Sequence, residues 1–131
     1  MKITGQPLHC STAEEWHAWL QRNHAVEKEV WLIIYKKHAA TRSLTLEEAT
    51  EEALCFGWID SIMKRIDDEK NALRYTPRRK GSNWSEANKK RAAKLIEQGR
   101  MTEAGLAKID EAKENGEWDE ASSPLPQKTS S

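Results

Sequence analysis

Cysteine is scarce in this sequence, which limits both its cross-links and its metal chemistry. Only Cys10 and Cys55 occur in 131 residues, too few for a disulfide framework or a cysteine-based zinc pattern. We therefore expect reduced thiols, a cytoplasmic protein, no metal site and no cofactor. Apolar neighbours favour a buried Cys55 over a catalytic nucleophile, because burial raises the pKa of a thiol.

Long apolar runs and an excess of charge are also missing. No segment approaches the roughly 20 apolar residues of a membrane span, and residues 1–10 lack the apolar run of a signal peptide. We thus expect no insertion into a membrane. The 21 Lys and Arg residues balance the 21 Asp and Glu residues. This balance counts against nucleic-acid binding through bulk charge but is compatible with a local basic patch.

Sequence signatures of the common catalytic classes are absent. The chain has no Gly-rich phosphate loop and no GxSxG elbow. His17 and His24 lie seven residues apart without an apparent third ligand, so we interpret the histidines as surface or core residues. The glutamates within residues 47–52 indicate one charged helix face.

Apolar periodicity predicts four helices and a small sheet. Helix caps are expected at Thr12 (or Ser11), Thr45, Ser85 and Thr102. Residues 30–35 are apolar on both faces and predict a central strand, whereas residues 58–67 and 72–78 predict an antiparallel pair joined by a polar turn. The sequence therefore predicts a single α+β domain over residues 1–118, in which about four helices pack on a small antiparallel sheet. Residues 119–131 are rich in Ser and Pro and predict a disordered tail or linker.

The first candidate site is the segment CFGWIDS, residues 55–61. Alternation along a strand that starts at Trp58 places Asp60 and Lys64 on the same face as the indole. An acidic and a basic side chain beside tryptophan suit recognition of a small polar ligand. They suit a structural ion pair equally well, and the pattern leaves both open.

The second candidate site is the basic segment RYTPRRKGSNWS, residues 74–85. Its cations and aromatic side chains are Arg74, Tyr75, Arg78, Arg79, Lys80 and Trp84. Ser85 is expected to open a helix, whose N-terminal N–H groups combine with forked arginine donors to form an anion-binding corner. A solvated charged edge is the alternative, because charge runs commonly lie at the surface.

Three segments in order carry a family resemblance: CFGWIDS, RYTPRRKGSNWSEANKKRAAKLIEQGRMTEAGL and AKENGEW. They resemble the YdeI/OmpD-associated (OmdA-like) family of bacterial proteins, over residues 10–119. The resemblance implies a role in bacteriocin protection or stress tolerance, without an established reaction. The matching positions are Gly57, Trp58, Ile59, Asp60, Pro77, Arg78, Trp84, Ser85, Asn88 and Gly99. Ser61 replaces the usual glycine, and we expect no counterpart here of the helical C-terminal module that many relatives have.

These observations favour a non-enzymatic protein that binds a small anionic or peptide ligand. Its predicted ligand-binding residues are Trp58, Asp60, Lys64, Arg78, Trp84, Ser85 and Asn88. Arg78 would hold an anionic group, the two tryptophans would enclose the ligand and Asp60 would orient it. One alternative is a small-molecule enzyme with Asp60 as general base and Arg78 as electrostatic clamp. The others are single-stranded nucleic-acid binding through residues 74–84 and a purely structural role.

Overall fold

The computed structural model describes residues 5–41, 43–79, 84–116 and 118. Its helices and strands are α1 (Ala13–Asn23), β1 (Val30–Tyr35), α2 (Leu46–Cys55), β2 (Trp58–Arg65), β3 (Lys70–Pro77), α3 (Glu86–Glu97) and α4 (Glu103–Glu114). The predicted α+β fold, with four helices and a small antiparallel sheet, is confirmed. The predicted tail and Lys80 lie outside the described residues.

Side-chain caps fix where the four helices begin. Thr12, Thr45, Ser85 and Thr102 each accept a hydrogen bond from the backbone N–H three residues later. At Thr45 the carboxylate of Glu48 also accepts from the cap's backbone N–H, at 2.9 Å, which completes a capping box. All four predicted caps are therefore confirmed, with Thr12 rather than Ser11 capping α1.

The strand order is β1-β3-β2, and both pairings are antiparallel. The central strand is therefore β3, and the prediction that residues 30–35 form the central strand was wrong. The outer side of β1 is partly occupied instead by the segment around Leu8. Its N–H donates to the carbonyl of Trp31 at 2.7 Å, and its carbonyl accepts from the N–H of Ile33 at 2.9 Å. This pairing satisfies part of the backbone edge that β1 would otherwise leave open.

The helices pack on one face of the sheet, which we call the core face. Leu32, Leu73, Tyr75 and Trp58 project from it and join the apolar residues of all four helices in one hydrophobic cluster. The buried residues of the opposite face, such as Trp31, are not part of that cluster. The main hydrophobic core therefore lies on the core face, and the opposite face is left for a surface site.

The apolar periodicity of α3 predicts that Ala92, Leu95 and Ile96 face inward. In the structure Ala92 and Leu95 belong to the core, but Ile96 is 45% exposed, so the prediction for Ile96 was wrong. Ala92 and Leu95 lie three residues apart and share one face, whereas the next residue along the helix lies about 100° further round.

A β-bulge interrupts β2 and changes which side chains share a face. Asp60 pairs with Tyr75, but Met63 pairs with Leu73, so β2 has one residue more than β3 across this interval. Asp60 and Met63 consequently project toward the core face, and Lys64 projects to the opposite one. The prediction that Asp60 and Lys64 lie on the same face was therefore wrong, because simple alternation does not continue through the bulge.

Candidate functional site

A cavity of about 470 Å³ lies on the sheet face opposite the helices, and we call it the basic cavity. The described residues that line it are Lys28, Ile59, Ser61, Arg74, Thr76, Pro77, Arg78 and Arg79. Half of these residues are basic, and none of the described lining residues is acidic. Three of the four cations belong to the basic segment that the sequence singled out.

Arg74 is fixed at one side of the basic cavity by two contacts. Its Nε donates to Oε1 of Glu29 at 2.6 Å, and Nη1 lies 3.4 Å from Oγ of Ser61. The Glu29 carboxylate therefore compensates part of the charge of Arg74 while orienting its guanidinium. The hydroxyl of Ser61 adds a polar contact to this arginine.

Arg78 forms the link between the basic cavity and the core. Its backbone N–H donates to the carbonyl of Gly57 at 2.8 Å, and its guanidinium carbon lies 3.9 Å from the ring centroid of Trp84. The side chain lines the basic cavity although the residue is only 3% exposed. This cation–π contact fixes the guanidinium at the cavity wall before any ligand arrives.

Trp84 itself is a core residue. It is 1% exposed, and its ring centroid lies 5.1 Å from that of Trp118. Its indole Nε1 is buried without a hydrogen-bond partner in the part of the chain that the structure describes. Trp84 therefore packs against Arg78 on the core side and is not among the described residues that line the basic cavity.

The first candidate segment lies mainly in the core. Trp58 is fully buried and packs edge-on against Trp19, with ring centroids 5.9 Å apart. Asp60 is half-buried on the core face opposite Tyr75, and Lys64 lies on the other face. The structure therefore does not bring Trp58, Asp60 and Lys64 together with Arg78 in the basic cavity. The CFGWIDS segment is a packed elbow between α2 and β2.

Ser85 and Asn88 are occupied in stabilising the start of α3. The Ser85 hydroxyl accepts from the backbone N–H of Asn88 at 3.1 Å. The side-chain oxygen of Asn88 accepts from Nη1 of Arg91 at 2.9 Å, and Arg91 also forms a bidentate pair with Glu47. These contacts tie α3 to α2.

The aromatic side chains of the basic segment are sealed from solvent. Tyr75 is 0% exposed, and its hydroxyl lies 3.1 Å from that of Thr50. Burial raises the pKa of the Tyr75 phenol. With Trp84 equally enclosed, neither ring is available to stack on a nucleic-acid base.

Sequence reasoning missed several residues of the basic cavity, including Lys28, Ile59 and Thr76. Ile59 and Thr76 are directly paired across β2 and β3, so a correct strand register would have placed them beside Arg74. Lys28 comes from the loop before β1, and no local pattern marks it.

Both cysteines are predicted to be inert toward thiol reagents in the native protein. Burial, as the main cause, raises the pKa of the Cys10 and Cys55 thiols to about 11. At pH 8 we therefore expect at least a tenfold slower reaction with a disulfide reagent in buffer than in urea. In the native protein, thiolate should form only as the pH approaches 11. Rapid labelling of Cys55 at pH 8 under native conditions would contradict this prediction.

Comparison with known proteins places the chain in a family. A family model described as a domain of unknown function (DUF8412) matches residues 8–108, and the chain belongs to that family. It matches no curated protein and no solved structure. Among the described residues, no helix is long and apolar enough to cross a membrane.

Proposed function

We propose that this member of the DUF8412 family binds a small anionic ligand in the basic cavity. The observation that carries the proposal is the convergence of Lys28, Arg74, Arg78 and Arg79 on one cavity with no acidic residue in its described lining. Arginine forks match the geometry of carboxylate and phosphate groups, and charge-assisted hydrogen bonds are about twice as strong as neutral ones. The volume of about 470 Å³ fits a small molecule.

The fixed position of two arginines supports this proposal over a merely solvated charged edge. Arg78 is held by Trp84 at 3.9 Å, and Arg74 is held by Glu29 at 2.6 Å. Side chains that are ordered before binding lose less conformational entropy when a ligand arrives. Freely solvated arginines would lack such contacts.

The charge of the basic cavity also distinguishes among the predicted ligands. A small anion is attracted by the four cations, whereas a cationic peptide would be repelled. An enzyme using Asp60 with Arg78 is less well supported, since Asp60 does not line the basic cavity. Single-stranded nucleic-acid binding is less well supported because Tyr75 and Trp84 are buried.

The biological role that we propose comes from the resemblance alone. If the chain is a YdeI/OmdA-like protein, anion binding would serve bacteriocin, antimicrobial-peptide or stress tolerance in the bacterial cytoplasm. The basic cavity supplies a binding chemistry for that role. Membership of the YdeI/OmdA-like family stays a prediction.

Calorimetric titration with inorganic phosphate and with citrate tests the proposed function. We expect saturable binding that weakens as salt is added, because ions screen the attraction. Arg74→Gln and Arg79→Gln should each weaken binding roughly ten- to a hundredfold, since a hydrogen bond to a charged group contributes about 1.5–3 kcal/mol. Arg65→Gln is the matched control, because Arg65 pairs with Asp68 and does not line the basic cavity.

Two outcomes would contradict the proposed function. The first is binding that falls equally in Arg65→Gln and in the two cavity variants, which would show an effect of overall charge. The second is saturable binding of a ten-nucleotide thymidine strand with no binding of phosphate or citrate. That result would favour the nucleic-acid alternative.

A further inference from the structure

A second cavity, of about 410 Å³, lies where the start of α1 meets the segment between α3 and α4, and we call it the His17 cavity. The residues that line it are Ala13, Glu14, His17, Glu52, Gly99 and Arg100. None of the described residues that line it also lines the basic cavity. Within it, Nδ1 of His17 lies 2.8 Å from Oε1 of Glu52. A histidine oriented by a carboxylate is an arrangement that proton-transfer sites use.

The contact with Glu52 determines which nitrogen of His17 can act. An ionised carboxylate only accepts hydrogen bonds, so Nδ1 must carry the proton and donate it. In the neutral ring Nε2 therefore has the lone pair. Nε2 has no hydrogen-bond partner among the residues that the structure describes, and the side chain is 43% exposed. The basic nitrogen of the imidazole is thus available to a molecule in the His17 cavity.

Glu52 is itself held in place from the other side. The residue is buried, and its Oε2 accepts from Nη2 of Arg100 at 2.9 Å. Arg100 also lies 3.6 Å from Glu51, which accepts from Lys94 at 2.5 Å. This network fixes the position of the Glu52 carboxylate, which is what a residue that positions a histidine requires.

Hydrogen-bond donors lie one helical turn from the imidazole. Ala13 and His17 are four residues apart and share one face of α1, and a helical side chain tilts toward the N-terminus. The backbone N–H groups of Ala13 and Glu14 have no partner within the described part of the chain. Such N–H groups stabilise negative charge that develops on a substrate oxygen.

We propose that His17, oriented by Glu52, is a general base for hydrolysis of small uncharged esters in the His17 cavity. Nε2 takes a proton from water while the water oxygen bonds to the carbonyl carbon, and the carbonyl electron pair moves to its oxygen beside the N–H groups of α1. When that pair returns, the carbon–oxygen bond to the alcohol breaks and the leaving oxygen takes the proton from Nε2. Ester and water become acid and alcohol, and His17 is regenerated.

The charges around the His17 cavity restrict the substrate. Glu14 and Glu52 line it with Arg100, and the charge of Arg100 is compensated by Glu51 and Glu52. The net charge around the His17 cavity is therefore negative, so the cavity would repel an anionic ester and accept a neutral or cationic one. This preference is opposite to that of the basic cavity, and the two sites can be tested separately.

Hydrolysis of 4-nitrophenyl acetate, followed by nitrophenolate release, tests the proposal. We expect saturable turnover that falls about 100-fold in His17→Gln, in keeping with general-base contributions. His24→Gln is the matched control, because the rings of His17 and His24 each lie 5.1 Å from that of Phe56, whereas His24 does not line the His17 cavity. Glu52→Gln should lower kcat about tenfold with KM unchanged, as expected for a positioning residue.

The tautomer of His17 tests the proposal without any variant. Nitrogen-15 NMR of the wild-type protein at neutral pH should show the proton on Nδ1 and a lone pair on Nε2. A proton on Nε2 of the neutral ring would overturn the proposal. So would a wild-type hydrolysis rate that equals the rate of His17→Gln, or an equal loss in His24→Gln.

Discussion

Replacing Trp16 by alanine is expected to lower the free energy of unfolding by about 3–5 kcal/mol, the usual cost of truncating a buried tryptophan. Trp16 is 0% exposed, and its ring centroid lies 5.6 Å from that of Trp19 and 5.3 Å from that of Tyr75. Its Nε1 also donates to the carbonyl of Ala49 at 3.0 Å. The indole therefore joins α1, α2 and the sheet, and its loss leaves a cavity at their junction.

Urea unfolding followed by circular dichroism measures this effect. Because small domains have only about 5–15 kcal/mol of stability in total, Trp16→Phe is included as a variant that retains part of the ring volume. It should lose less than half as much stability as Trp16→Ala. A loss below about 1 kcal/mol for Trp16→Ala would contradict the assigned core.

Gly105→Ala is expected to destabilise the fold by about 3 kcal/mol, the upper end of the usual cost of overpacking. A Cβ atom at this position would overlap the carbonyl oxygen of Cys55 and lie 2.8 Å from Cε of Met101. The Cys55 carbonyl is poorly placed to move, because it accepts from both N and Oγ1 of Thr102, at 3.0 and 2.5 Å. The end of α2 and the start of α4 are therefore in direct backbone contact at Gly105.

Gly99→Ala separates this steric effect from the backbone effect of losing a glycine. Gly99 has a φ of +72°, but a Cβ there would meet no atom of the described residues within 4 Å. Its expected cost is the left-handed conformation alone, about 1–2 kcal/mol. Thermal and urea unfolding of the two variants should rank Gly105→Ala as the less stable. The reverse order would contradict the close packing of α2 and α4.

The parts of the fold that depend on neighbours in sequence were predictable. A cap and the N–H that it accepts are three residues apart, so Thr45 and Glu48 mark the start of α2 whatever the rest of the chain does. The end of α2 is also marked locally, because Gly57 has a φ of +78°, a left-handed conformation that glycine adopts readily after a helix. Such local signals fixed the element order and the fold class.

The parts that depend on pairing between distant residues were not predictable. The bulge in β2 exists only relative to β3, so alternation within β2 assigned Lys64 to the wrong face. The contact between His17 and Glu52 joins residues 35 positions apart, and each residue alone resembles an ordinary helix surface. Arg78 was predictable as a basic residue. Its cation–π contact with Trp84 was not, because that contact depends on how the segment before α3 packs.

The bulge also gives β2 a constraint that no single residue identity conveys. Because two residues separate Asp60 from Met63 where one separates their partners on β3, the bulge absorbs the extra residue and keeps the later positions of β2 in register with β3. Losing one residue in this interval would restore regular pairing and leave Met63 and Lys64 on the faces that they now occupy, whereas gaining one would exchange the two faces of the rest of the strand unless the bulge widened. Among related chains, β2 should therefore tolerate the loss of one residue here more readily than the gain of one.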